Sequence, residues 1–178
     1  MHLGRALRTT ALAAALAVPG AIVAGAPAAQ ATARSCHWAD KGDSGVVRVQ
    51  DGNGSQLTAG RIHQQFDYCG NSRARFVWDG WFRTHAHPGI TGAWVQVLDL
   101  GDDGRGRDSG EYGSLSGPEV TTNPISVHSW GDNEWYGVAN MRITHGNGST
   151  ARCTAYSSTW DYHYGRPTEG AQPGTCGY

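Results

Sequence analysis

Apolar and polar residues alternate most strictly between positions 73 and 84. Ala74, Phe76, Trp78, Gly80 and Phe82 fall on one side there, and Arg73, Arg75, Val77, Asp79, Trp81 and Arg83 on the other. A period of two places successive side chains on opposite faces of a strand, so this pattern predicts one strand over 73–84 with a core face and a mostly wet face. Weaker runs rich in β-branched and aromatic residues predict further strands over 46–50, 57–68, 93–100, 125–130, 135–145 and 149–160.

The last two runs flank Gly146-Asn147-Gly148, and their apolar positions select a register. A two-residue loop would set Met141 opposite Thr154. A three-residue loop, with Gly148 at positive φ, pairs Met141 with Cys153, Ile143 with Ala151 and Ala139 with Ala155. Only the second keeps the apolar side chains on one face, because a slip of one residue turns every side chain over. It also sets Arg142 opposite Arg152, two like charges that need solvent or an acid nearby.

Glycine recurs too often for a long helix, and turn residues punctuate the predicted strands at short intervals. The expected fold is all-β: a small antiparallel β-sandwich, or a partly closed barrel, forming one domain over residues 34–178. Segments 101–117 and 165–178 read as loop and tail. Asn53-Gly54-Ser55 and Asn147-Gly148-Ser149 match a glycosylation acceptor pattern but read as tight turns.

The N-terminus changes the picture. Arg5 and Arg8 precede an Ala-rich apolar stretch that closes on Ala31-Thr32-Ala33. This order of charged region, short apolar region and small-residue cleavage site predicts an export signal over residues 1–33. The apolar stretch is shorter than the roughly 20 residues that cross a bilayer, so no membrane association is expected after cleavage. The four cysteines all follow that site without C-x-x-C spacing, which predicts two disulfides in a secreted, extracellular protein: Cys36 with Cys69 and Cys153 with Cys176. Widely spaced cysteines argue against structural zinc. Arginine dominates the basic residues, and with the Ala-rich leader this suggests a bacterial source. Residues 34–178 lose two of the 14 basic residues and none of the 15 acidic ones, for a net charge of −3, which excludes general attraction to nucleic acid.

Candidate chemistry is sparse. Gly42-Asp43-Ser44-Gly45 resembles the surroundings of a protease serine, but too few residues precede it to supply the histidine and aspartate, and a polar turn accounts for it. Asp99, Asp102, Asp103, Asp108 and Glu111 are candidate calcium ligands. They miss the EF-hand spacing, since Gly101 stands at the third position and Glu111 falls one residue late. His85 and His87 would point the same way on an extended backbone and are candidates for a metal or for acid–base work.

Seven Trp, seven Tyr and three Phe are the most unusual feature, and several fall on faces that alternation marks as polar. Trp81 with Arg83, the Trp130–Trp135–Tyr136 group, and Tyr156 beside Arg152 and Thr154 are candidate binding residues. Exposed aromatics beside charged groups form surfaces that stack on sugar rings or anchor a protein. The expected function is therefore a monomeric, non-catalytic binding domain without cofactor, acting on a glycan, a cell-envelope polymer or an extracellular protein. The alternatives are a small hydrolase using His85 or His87 with a nearby carboxylate, and an inhibitor of an extracellular enzyme presenting segment 101–117.

Overall fold

The computed structural model describes residues 36–102, 108–127 and 133–177, and the side chains of Asp102 and Asp108 are not among what it describes. The expected export signal, Asp103 and Trp130 lie outside the described residues. Among those described, no helix is long and apolar enough to cross a membrane.

The chain forms β1 (Ala39–Gln50), β2 (Gln56–Phe66), β3 (Asn71–Trp78), α1 (Gly80–Thr84), β4 (Ile90–Asp102), β5 (Asp108–Ser114), β6 (Glu119–Thr121), β7 (Ile125–Ser126), β8 (Glu134–His145), β9 (Thr150–Tyr156), β10 (Thr159–Asp161), β11 (Arg166–Glu169) and β12 (Gly174–Cys176). Two sheets pack face to face as an all-β sandwich. The first runs β12-β1-β2-β3-β6, with β7 also on β3; the second runs β11-β10-β8-β4-β5, with β9 also on β8. Every pair is antiparallel except β1 with β12.

Inward residues of both sheets form the core. Val47, Val49, Ile62, Ala74, Phe76 and Trp78 come from the first sheet, and Val95, Val97, Ala139, Met141, Ile143 and Ala155 from the second. The sheet backbones approach closely where β1 and β12 meet β9. A Cβ on Gly45 would lie 2.2 Å from the Tyr156 carbonyl oxygen, and one on Gly174 would lie 2.3 Å from that of Thr154. Only glycine fits contacts this close to backbone.

The expected β8–β9 register is the one found. Met141 pairs with Cys153, Ile143 with Ala151, Ala139 with Ala155 and Arg142 with Arg152, and Gly148 takes φ 82°. Both disulfides have the expected partners. Cys36–Cys69 ties the segment before β1 to the β2–β3 turn. Cys153–Cys176 joins β9 of the second sheet to β12 of the first.

Four expectations need correction. The strand over 73–84 stops at Trp78, because the Asp79 carboxylate accepts a hydrogen bond from the Phe82 amide at 2.9 Å and caps α1. Phe82 still reaches the core, since the helical turn returns it to the side of Trp78, with the two rings parallel at 6.3 Å. Segment 101–117 contains β5, paired along its length with β4. Segment 165–178 contains β11 and β12. Gly42-Asp43-Ser44-Gly45 lies within β1 at a register shift and is not a turn preceding a strand.

One half-buried titratable group is expected to give the fold a pH dependence. His63 on β2 places its Nδ1 3.0 Å from the Asp40 carboxylate. Burial lowers its pKa from the ordinary 6.5, outweighing Asp40, which raises it; Arg75 and Arg61 act in the same direction as burial. The folded protein therefore binds this proton less readily than the unfolded chain. The stability is fully present above pH 6.5 and declines as the pH falls below it. Melting temperature is expected to drop between about pH 7 and about pH 5, and His63→Gln should flatten that slope. An unchanged slope in the variant would assign the loss to other groups.

Candidate functional site

The side chains singled out from sequence divide sharply. Trp81 is 52% exposed, on α1 rather than on a strand, and it stacks on His85 with ring centroids 5.0 Å apart. Arg83, in the last turn of α1, is half-buried. His85 and His87 do not form the extended i, i+2 pair that sequence suggests. His85 is exposed, with Nδ1 3.0 Å from the Trp81 carbonyl oxygen. His87 is buried against the Phe82 ring, and its Nε2–H donates to the Phe82 carbonyl at 2.9 Å. Both rings flank the Trp81 indole, each with its centroid 5.0 Å away, while their nitrogens meet different backbone carbonyls, and among the described residues neither contacts a carboxylate.

Trp135 is not a surface residue. It is fully buried, and its indole N–H donates to Asn133 Oδ1 at 2.8 Å. Alternation along β8 explains the difference: Trp135 shares the inward parity of Ala139, Met141 and Ile143, whereas Tyr136 points out.

The acidic cluster also separates. Asp99 is fully buried between the sheets, where it accepts from Ser72 Oγ at 3.0 Å and from Gln64 Nε2 at 3.1 Å. It is a structural acceptor and not a solvated loop ligand. Tyr162 reaches the same network through Gln64, and burial pushes its phenol pKa up. Glu111 lies on β5 and accepts from Asn123 Nδ2 at 3.3 Å. Among the described residues, no group of three His, Cys, Asp or Glu side chains could hold a metal ion.

Three of the six exposed aromatics, Trp94, Tyr112 and Tyr156, lie on the outer face of the second sheet, whereas Tyr68 and Tyr164 stand in turns and Trp81 on α1. Pairing sets the side chains in rows across β5, β4, β8 and β9. One row reads Ser114, Trp94, Arg142, Arg152; the next reads Tyr112, Gln96, Asn140, Thr154; a third reads Gly110, Leu98, Val138, Tyr156. Trp94 and Tyr112 are 56% and 70% exposed. Gln96 Nε2 donates to the Tyr112 hydroxyl at 2.9 Å, and Thr154 Oγ1 donates to Asn140 Oδ1 at 2.8 Å. These bonds orient the polar row while leaving Gln96 Oε1 and Asn140 Nδ2 open to a ligand. A depression of about 880 Å³ follows the first two rows. A second, of about 560 Å³, adjoins the far end, between Tyr136, Tyr156, Glu134 and Glu169. The Tyr136 and Tyr156 rings lie 6.2 Å apart at that end.

Trp94, Gln96 and Tyr112 escaped the sequence reading, although a signal for two of them existed. Ala93, Val95 and Val97 are the inward positions of β4, so Trp94 and Gln96 had to face outward. Tyr112 sat in a segment assigned to loop.

Fold and site together define an all-β sandwich cross-linked by two disulfides, with an open sheet face bearing aromatic, amide and guanidinium groups. No protein-family model, curated protein or solved structure matches the chain.

Proposed function

We propose that this is a secreted, non-catalytic binding domain that takes a polysaccharide on the outer face of its second sheet. The observation that carries the reading is the row Tyr112, Gln96, Asn140, Thr154 lying beside the exposed indole of Trp94. Sugar rings present apolar C–H faces and hydroxyl edges. An indole takes the first, and side-chain amides, which both donate and accept, take the second. Rows are separated by two residues, about 7 Å, and four strands span about 14 Å, so adjoining sugar units can each meet a different row.

Export fits an envelope or extracellular polymer, and the two disulfides suit an oxidising compartment. Exposed Trp81 and half-buried Arg83 lie on α1, outside these rows, and are not assigned to this site.

The test is a pulldown of the mature protein with insoluble polysaccharides and peptidoglycan. Trp94→Ala is expected to weaken capture roughly tenfold to a hundredfold, the scale of an aromatic hot spot, without lowering the melting temperature by more than a few degrees. Capture that survives Trp94→Ala unchanged would move the site elsewhere.

A further inference from the structure

Resting on that reading of the face, we infer that the polysaccharide it takes is anionic, with a carboxylate or sulfate held between Arg142 and Arg152. The two arginines stand directly opposite each other on β8 and β9, both exposed. Neither has a hydrogen bond, ion pair or ring partner among the described residues. Two guanidinium groups in direct cross-strand register repel, and nothing in the fold requires them there. The repulsion ends when one anion accepts from both, since each guanidinium offers a planar fork of donors matched to a carboxylate or sulfate.

A second observation concerns the surroundings. The depression along these rows is lined by both arginines and by no carboxylate, although residues 34–178 carry a net charge of −3. The depression therefore carries two positive charges and no negative one. Arg142 also pairs in register with Trp94, which brings the charge next to the stacking platform. A sugar ring on the indole would direct a charged substituent to the arginines.

An acidic protein segment shares the charge but fits the face less well. An acidic run offers no ring face to the Trp94 indole. The amide row, moreover, matches hydroxyl groups.

The experiment measures binding of the mature protein to polygalacturonate, chondroitin sulfate, neutral laminarin and poly-L-glutamate at low and high salt. Polygalacturonate or chondroitin sulfate should bind more tightly than laminarin, and the advantage should shrink as salt rises. Chondroitin sulfate carries both a carboxylate and a sulfate, so its binding without polygalacturonate assigns the sulfate, and equal binding of both assigns the carboxylate. Arg142→Gln and Arg152→Gln should each weaken the polyanion roughly tenfold to a hundredfold, as expected on losing a charge-assisted hydrogen bond, and weaken laminarin by much less. Trp94→Ala should weaken both.

Polyanion binding that is indifferent to the arginine substitutions overturns the inference. So does poly-L-glutamate binding as tightly as the polysaccharides and ignoring Trp94→Ala, which would assign the pair to an acidic protein. Trp94-dependent laminarin binding with no gain for polyanions rejects the anion and keeps the polysaccharide face. Failure of every polysaccharide here and in the pulldown rejects both.

Discussion

Trp78→Ala is expected to destabilise the domain by about 3–5 kcal/mol, whereas Trp81→Ala should cost about 1 kcal/mol or less. The two residues are three apart and chemically identical. Trp78 ends β3 at 3% exposure, edge-on to Phe76 and parallel to Phe82, and its indole N–H meets no acceptor among the described residues. Its contribution is therefore packing, and truncation leaves a cavity lined by rigid rings. Trp81 projects from α1, half in solvent, and loses chiefly its stack on His85. Urea unfolding of both variants measures the difference directly. Equal losses would mean that α1 is buried on both sides and that Trp81 belongs to the core.

Removing the Cys153–Cys176 bridge by paired Ser substitution should cost about 3–4 kcal/mol, from the loop it closes in the unfolded chain and from the packing it supports. The two bridges close loops of similar span, 23 and 33 residues apart in sequence, so chain entropy alone predicts similar losses. Their surroundings differ. Cys176 is fully buried where β12 lies parallel on β1, whereas Cys36 and Cys69 are both exposed. A parallel strand of three residues at a sheet edge has few ladder bonds of its own, so the covalent link to β9 adds to the Tyr156–Gln172 backbone pair in restraining it. Mild reductant is accordingly expected to open Cys36–Cys69 first, and mass spectrometry after thiol alkylation would show it. Preferential labelling of Cys153 and Cys176 would contradict this ordering.

The candidate site was legible in part. Alternation put Tyr156 on an outward position, and the hairpin register placed Arg142 opposite Arg152. The same alternation held an inward place for Trp135, and grouping it with its neighbours as a surface cluster ignored the parity of β8. The acidic stretch looked continuous in sequence because Asp99 and Glu111 are close along the chain. Pairing of β4 with β5 instead sent Asp99 into the interior, to Ser72 and Gln64 of the opposite sheet.

What the sequence determined by itself is whatever depends on local period and covalent chemistry. Strand alternation, the Gly146–Gly148 hairpin with its register, and the all-β class follow from side chains that must be apolar together on one face. Of the three possible cysteine pairings the sequence only favours the one found, from the nearness of each terminal cysteine to its partner along the chain, and Cys69 lies in the β2–β3 turn and Cys176 on β12. Tertiary structure decided what local signals leave degenerate. The end of β3 is one case, because Phe82 reaches the core at an even spacing along a strand and equally at i+4 on a helix begun by Asp79. The outer face of the second sheet is the other. Trp94, Gln96, Tyr112, Asn140 and Arg152 come from four strands spread over residues 90–156, and only hydrogen-bonded pairing between those strands sets them in rows.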